Sequence, residues 1–297
     1  MSNFGKILIF IALLLIIVVF FKSIEIPGLN KEGFQSQDFL FKTGVDVYDD
    51  FYANIYDYLV FNNIKDSYEI GVIINDTQAN ETSVILDIGS GTGHHVGLLS
   101  EQNLKVVGID ISPSMIEIAR KNYPELNFKQ SDALDNTQFN YNTFTHILCL
   151  YFTIYYFPDK RKFFDNCMDW LMPGGCLVIH LVNRDKFDPI LPPGNPLYIV
   201  SPQKYAKERI TTTKITFNDF IYNSDFKLNK DANIATFDEK FKFNDGKVRK
   251  QEQKMYMEDE QDILTIAQQC GFILQGKIDL VKCAYEYQYL YILVKPS

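Results

Sequence analysis

The sequence predicts an α/β fold: a mostly parallel sheet covered by helices on both faces, with a β-rich insertion and an apolar N-terminal helix. Three observations predict it. Between residues 83 and 184, short apolar strand-like runs alternate with amphipathic helical runs, the pattern of a parallel sheet buried on both faces. Beyond residue 200 this gives way to alternating segments around an Asn244-Asp245-Gly246 turn, the mark of antiparallel hairpins. Residues 7–21 form an unbroken apolar run of 15 between Lys6 and Lys22.

The elements follow in chain order. As a helix the N-terminal run spans roughly 22 Å, short of a hydrocarbon core of about 30 Å. Phe4 and Gly5 extend it, and the flanking lysines can snorkel to the headgroups. It ends Val18-Val19-Phe20-Phe21-Lys22 with no small-residue cleavage site, against a cleaved signal peptide. Residues 1–22 therefore read as a single-pass transmembrane anchor and 23–45, with Pro27, Gly28, Gly33 and Gly44, as a linker. The remaining 46–297 read as one domain, placed in the cytosol.

Residues 46–61 and 65–75 have helical periodicity, the first with Tyr48, Tyr52 and Tyr56 four apart. Strands are expected over 83–87, 105–110, 126–130, 144–151 and 176–181. Helices are expected between them over 94–102, 113–122 and 159–171. Pro113 sits early in its helix, where it is tolerated, and Pro173-Gly174-Gly175 ends the last one. The insertion covers about residues 200–257. A helix over 258–270, stopped by Gly271, and two strands over 272–281 and 286–294 complete the chain.

Composition bounds the function. The 297 residues carry a formal charge of −8, are 46% hydrophobic and have a mean hydropathy of −0.10. This excludes collagen, long disorder and a disulfide-dense module, and argues against a main grip on nucleic-acid phosphates. Cys149, Cys167, Cys176, Cys270 and Cys283 are odd in number and lack metal-pair spacing, so reduced core thiols are expected. His94 and His95 are adjacent and point different ways. With His146 on a strand, no histidine cluster forms and no metal is expected.

The chemistry concentrates in Asp87-Ile88-Gly89-Ser90-Gly91-Thr92-Gly93, where a strand enters a glycine-rich turn that opens a helix. Glycines there allow a sharp turn and close approach of a ligand to the backbone. The spacing G-x-G-x-G differs from the G-x-G-x-x-G of dinucleotide sites. Together with Asp110 ending the second strand, Ser131-Asp132-Ala133 after the third and Pro173-Gly174-Gly175 before the fifth, it resembles the class I S-adenosylmethionine-dependent methyltransferases. The resemblance implies a Rossmann-like seven-stranded methyltransferase sheet and S-adenosyl-L-methionine as cofactor.

It also implies site roles. Asp87 lies by the amino-acid moiety, and Gly89, Gly91 and Gly93 pack against the methionine part and ribose. Asp110 accepts from both ribose hydroxyls, a charge-assisted contact. Asp132 and Ala133 read adenine, Met115 packs on the adenine face, and Leu150 lines the site at the fourth strand's exit. In such enzymes an N-terminal helix with Tyr-Asp pairs closes over the cofactor. Tyr48-Asp49 and Tyr56-Asp57 match that pattern.

The acceptor side is read from strand ends. The exit Cys149-Leu150-Tyr151-Phe152-Thr153-Ile154-Tyr155-Tyr156-Phe157 lacks the Asn/Asp-Pro-Pro-Tyr type sequence of enzymes that methylate adenine or amide nitrogens. It is similar instead to small-molecule methyltransferases of the amino-sugar and glycine N-methyltransferase type. Tyr156 and His180 are the candidate catalytic residues, His180 as a base at a strand end. The expected partners are a small-molecule or lipid acceptor and, through the anchor, a membrane. Insertions of this kind cap the acceptor site or form dimer contacts, which allows a homodimer. The alternatives are an NAD-linked oxidoreductase and a non-catalytic cofactor-binding module of the same fold.

Overall fold

The structure, a computed structural model, describes residues 39–194 and 201–297. Twelve strands among the described residues form two sheets. The seven-stranded sheet holds β2 (Val84–Ile88), β3 (Lys105–Asp110), β4 (Asn127–Gln130), β5 (Phe144–Cys149), β6 (Leu171–Val182), β11 (Ile273–Asp279) and β12 (Gln288–Val294). Their order is β11-β12-β6-β5-β2-β3-β4. Strands β2 to β6 pair in parallel, and β12 runs antiparallel between β6 and β11. The strand order reverses between β2 and β5, so their C-terminal ends open a crevice where such sheets bind ligands.

Local signals place the elements. Helix α1 (Asp50–Val60) starts at Asp49, whose carboxylate accepts from Tyr52 N at 3.2 Å. Helix α2 (Asn63–Thr77) starts at Asn62, which caps Ile64 and Lys65. Helix α3 (His94–Glu101) follows the glycine loop with no side-chain cap. Helix α4 (Pro113–Asn122) has Ser112 as cap and proline in its first turn. Helix α5 (Lys160–Trp170) precedes β6, and α6 (Glu260–Gln269) precedes β11. The main core, with Ile147, Phe163, Trp170 and Ile179 fully or almost fully buried, lies between the sheet and α5 and α6.

The second sheet has order β1-β10-β9-β8-β7: β1 (Phe39–Thr43), β7 (Thr212–Thr216), β8 (Phe220–Asn229), β9 (Ile234–Phe243) and β10 (Val248–Tyr256). Residues 39–43 were expected as the end of a linker. They instead pair in parallel with β10 from Phe39↔Val248 to Thr43↔Glu252. Their alternation of exposed and half-buried residues is too short to distinguish from linker without the partner strand. Helix α1 packs its Tyr52, Ile55 and Leu59 against Phe220, Tyr222 and Phe241 of this sheet. Expected helix starts at residues 46 and 65 shift to Asp50 and Asn63, because Gly44–Val47 forms a 3-10 turn and Asn62 supplies the cap.

The expected single-pass membrane localisation is corrected. No helix among the described residues is long and apolar enough to cross a membrane, and the anchor expected over residues 1–22 lies outside them. All five cysteines are free, four of them buried.

Candidate active site

A cavity of about 760 Å³ opens at the C-terminal ends of β2, β3 and β5 and runs under α1 to the second sheet. Of the residues singled out from sequence, Asp87, Gly89, Gly91, Asp110, Met115, Asp132, Ala133, Leu150, Tyr48, Tyr56 and Tyr156 line it. Gly93 and His180 do not line it.

The glycine loop is built by sterics. Gly89 has φ +73°, and a Cβ there would stand 2.5 Å from the Thr153 side chain. At Gly91 (φ +52°) a Cβ would meet only the Tyr56 ring, in ordinary contact at 3.9 Å. The Gly91 N–H donates to Asp110 Oδ2 at 3.0 Å, while Ser112 N donates to Oδ1 at 2.9 Å. Burial pushes the Asp110 pKa up against these two bonds. The loop and the end of β3 are thus one hydrogen-bonded unit. Gly93 (φ +92°) precedes α3, and a Cβ there would stand 2.8 Å from the Phe128 ring, so its role is in the turn itself.

Asp87 is almost wholly buried, and its Oδ2 has no hydrogen-bond partner among the described residues. Burial pushes its pKa up to about 6. Asp132 stands exposed at the other end of the site and accepts from Leu134 N at 2.8 Å. Met115 and Ala133, both buried, also line the cavity.

Helix α1 covers the glycine loop. Asp57 accepts from Thr92 Oγ1 at 2.6 Å and binds His94 Nε2 at 2.9 Å, while Phe61 stacks on His94 at 3.9 Å. Tyr48, Tyr52 and Tyr56 meet edge to face, and Tyr48 meets Tyr156 in the same way at 6.2 Å. The Tyr48 and Tyr156 hydroxyls both donate to Gln253 Oε1. Burial pushes both phenols' pKa values up, so Tyr156 stays protonated.

Comparison with known proteins bears on this geometry. A family model described as "Methyltransferase domain" matches residues 85–175, from β2 into β6. The chain carries a methyltransferase domain. It is 33% identical over 140 residues to the dTDP-4-amino-2,3,4,6-tetradeoxy-D-glucose N,N-dimethyltransferase of Saccharopolyspora spinosa, covering 45% of this chain and 55% of that protein. It is 34% identical over 96 residues to the demethylmenaquinone methyltransferase of Chlorobaculum tepidum, covering 32% of this chain and 39% of that one. The chain thus spans about half or less of the length of these curated relatives. In fold it is similar to an S-adenosylmethionine-dependent methyltransferase from Clostridium acetobutylicum (TM-score 0.62, 17% identity, 83% of this chain and 98% of that one). It is also similar to the sugar N-methyltransferase KedS8 from a Streptoalloteichus species (TM-score 0.57, 18% identity, 78% and 87%).

One expected catalytic residue is corrected. His180 is fully buried in β6. Its Nδ1–H donates to the Tyr151 carbonyl, and Nε2 meets the Gln288 side-chain amide at 3.1 Å. Burial lowers its pKa to about 4. It is a neutral tie between β6 and the β5 exit, where Tyr151 has φ +52°, and it has no path to an acceptor. From sequence, a strand-end histidine looks open; the pairing of β12 along β6 covers it.

Sequence reasoning missed other lining residues. Lys65 and His95 line the cavity beneath the glycine loop. Lys65 Nζ lies 2.7 Å from the fully buried Glu69, and His95 Nε2 lies 3.2 Å from it. Burial alone would raise the Glu69 pKa, but Lys65 and His95 outweigh it and hold it at about 2. Asp66, Glu69 and His95 bring ligand atoms within 4.8 Å of one another, a mixed group that a search for paired histidines overlooks. Lys65 supplies positive charge there, also lying 3.9 Å from Asp66. The adjacent histidines do diverge, His94 to Asp57 and His95 to Glu69.

Proposed function

We propose that the protein transfers a methyl group from S-adenosylmethionine to a small-molecule acceptor held between α1 and the second sheet. The observation that carries this reading is the unpartnered, buried Asp87 Oδ2 in one cavity with Gly91, Asp110 and Asp132. A buried polar atom without a partner costs about 1–3 kcal/mol, and an ammonium group satisfies it. The remaining residues fit the same cofactor. Asp110, fixed by two backbone N–H groups, keeps lone pairs for a diol, and Asp132 with Ala133 bounds the adenine end.

When bound, S-adenosylmethionine supplies an electrophilic methyl group on a sulfonium. The chain's part is to align the acceptor and exclude water. Helix α1 covers the loop through Asp57, and the insertion walls the far side with Phe226, Phe237 and Met255. Of the two roles expected for the insertion, this geometry favours capping the acceptor site. The relatives act on an amino sugar and a menaquinone precursor by their names, and a largely apolar chamber with polar points suits a compact organic acceptor of either kind. The NAD-linked alternative is set aside, since the matched family model over residues 85–175 is a methyltransferase domain.

Calorimetry tests the reading. S-adenosylmethionine and S-adenosylhomocysteine bind the wild-type protein and NAD does not. Asp110→Ala weakens both by roughly a hundredfold, the loss of two hydrogen bonds to a charged group. Retained binding in that variant rules out the site. Tight cofactor binding with no labelled-methyl transfer across a panel of amines, sugars and quinols favours a non-catalytic module.

A further inference from the structure

The inward face of β10 is polar. Arg249, Gln251 and Gln253 are buried, while Lys250 and Lys254 between and beyond them are exposed. Gln251 and Gln253 converge on Glu239 of β9, buried on the same face and paired directly with Gln251. Glu239 Oε1 accepts from Tyr52 OH at 3.0 Å and Tyr222 OH at 2.7 Å. Its Oε2 accepts from Gln251 Nε2 and Gln253 Nε2, both at 2.6 Å. Arg249 in turn donates to Gln251 Oε1 at 2.8 Å and to both oxygens of Asp49. Every bond runs from donor to acceptor in one direction.

That direction reaches the cavity. Gln253 cannot turn its amide over, because Oε1 would then face a carboxylate oxygen at contact distance, acceptor against acceptor. Its Oε1 is therefore fixed toward Tyr48 OH, at 2.8 Å, and Tyr156 OH. A carbonyl oxygen only accepts and each phenol has one proton, so both hydroxyls spend their donor on Gln253. At these two points the cavity wall presents only lone pairs. A second observation agrees: the described lining carries seven carboxylate side chains against two lysines.

We propose that Glu239 and Gln253 determine acceptor specificity by fixing the hydroxyl direction of Tyr48 and Tyr156, so that the chamber takes an acceptor whose polar end is an amine and rejects an anion. This rests on the methyl-transfer reading and narrows it. The edge-on tyrosine cluster adds ring faces that favour a cation. Glu239 lies behind Gln253 and is a positioning residue.

The test is binding to protein saturated with S-adenosylhomocysteine, using cyclohexylmethylamine and cyclohexanecarboxylate as probes of equal bulk and opposite charge. The amine binds wild type at least about tenfold more tightly than the carboxylate, the scale of a hydrogen bond to a charged group. Glu239→Gln frees the Gln253 amide to turn and reduces that ratio by about tenfold while S-adenosylhomocysteine affinity stays unchanged. Tyr156→Phe, a smaller change in case Glu239→Gln fails to fold, weakens the amine several-fold and not the carboxylate. Equal binding of the two probes by wild type, no binding of the amine, or an unaltered ratio in either folded variant overturns the proposal. Absence of S-adenosylhomocysteine binding in wild type overturns both readings. Its presence without an amine preference overturns this one alone.

Discussion

Asp87 has a titration within reach of ordinary buffers. Burial raises its pKa to about 6, so the folded protein holds that proton well above the usual carboxylate range. A cofactor ammonium needs the ionised form. Affinity for S-adenosylhomocysteine is thus flat above about pH 7 and falls by up to roughly tenfold per unit below about pH 6. Asp87→Asn lowers the affinity and removes this part of the pH dependence, which calorimetry across that range reads directly. A variant with the wild-type slope assigns the titration elsewhere. The sequence made Asp87 a candidate through its place two residues before Gly89. It could not show that one oxygen lacks a partner, because that depends on every neighbour.

The same contrast holds for the elements. Strand β2, the glycine loop and α3 were legible because a short apolar run, closely spaced glycines and a helical period are adjacent in the chain. Gly89→Ala tests the loop. Its φ of +73° and the 2.5 Å approach to Thr153 predict a loss of about 1–3 kcal/mol, read as a lower unfolding midpoint. Adding Thr153→Ala restores part of it by removing the two closest atoms. Strand β10 was legible as a strand, but not its direction of burial. Arg249, Gln251 and Gln253 look like a solvent face, and their burial requires Glu239 and Asp49 as partners. Arg249→Met leaves Asp49 and the Val47 carbonyl without their buried donor. It should cost about 3 kcal/mol in urea denaturation, with β1 and α1 loosening from β10 first in hydrogen exchange.

For the whole molecule the acid limb of stability follows from buried groups. His180 has its pKa lowered from 6.5 to about 4. Between those values the unfolded chain binds the proton and the folded one does not, so stability falls as pH falls through that window, on the order of 3 kcal/mol. Glu69, held at about 2 against an ordinary 4.5, extends the loss to lower pH. Asp87 acts in the opposite sense, since its raised pKa favours the protonated folded state below about 6. His180→Gln removes the histidine contribution, so urea denaturation of this variant shows a shallower slope between about pH 6.5 and 4. An unchanged slope there would exclude His180 as its source.

By itself the sequence determined the parallel sheet and the glycine loop, and the family resemblance these motifs carry singled out Asp87, Asp110 and Asp132. These depend on local period and on residues next to strand ends, where geometry within one βαβ unit fixes their place. Tertiary structure alone decided what surrounds them. It made β1 a strand by giving it β10, buried His180 behind β12, and joined Tyr48 and Tyr156 to Gln253, 205 and 97 residues away. A hydrogen bond across such distances leaves no trace in local periodicity. Its direction, which sets what the cavity can recognise, follows from the last partner in the network.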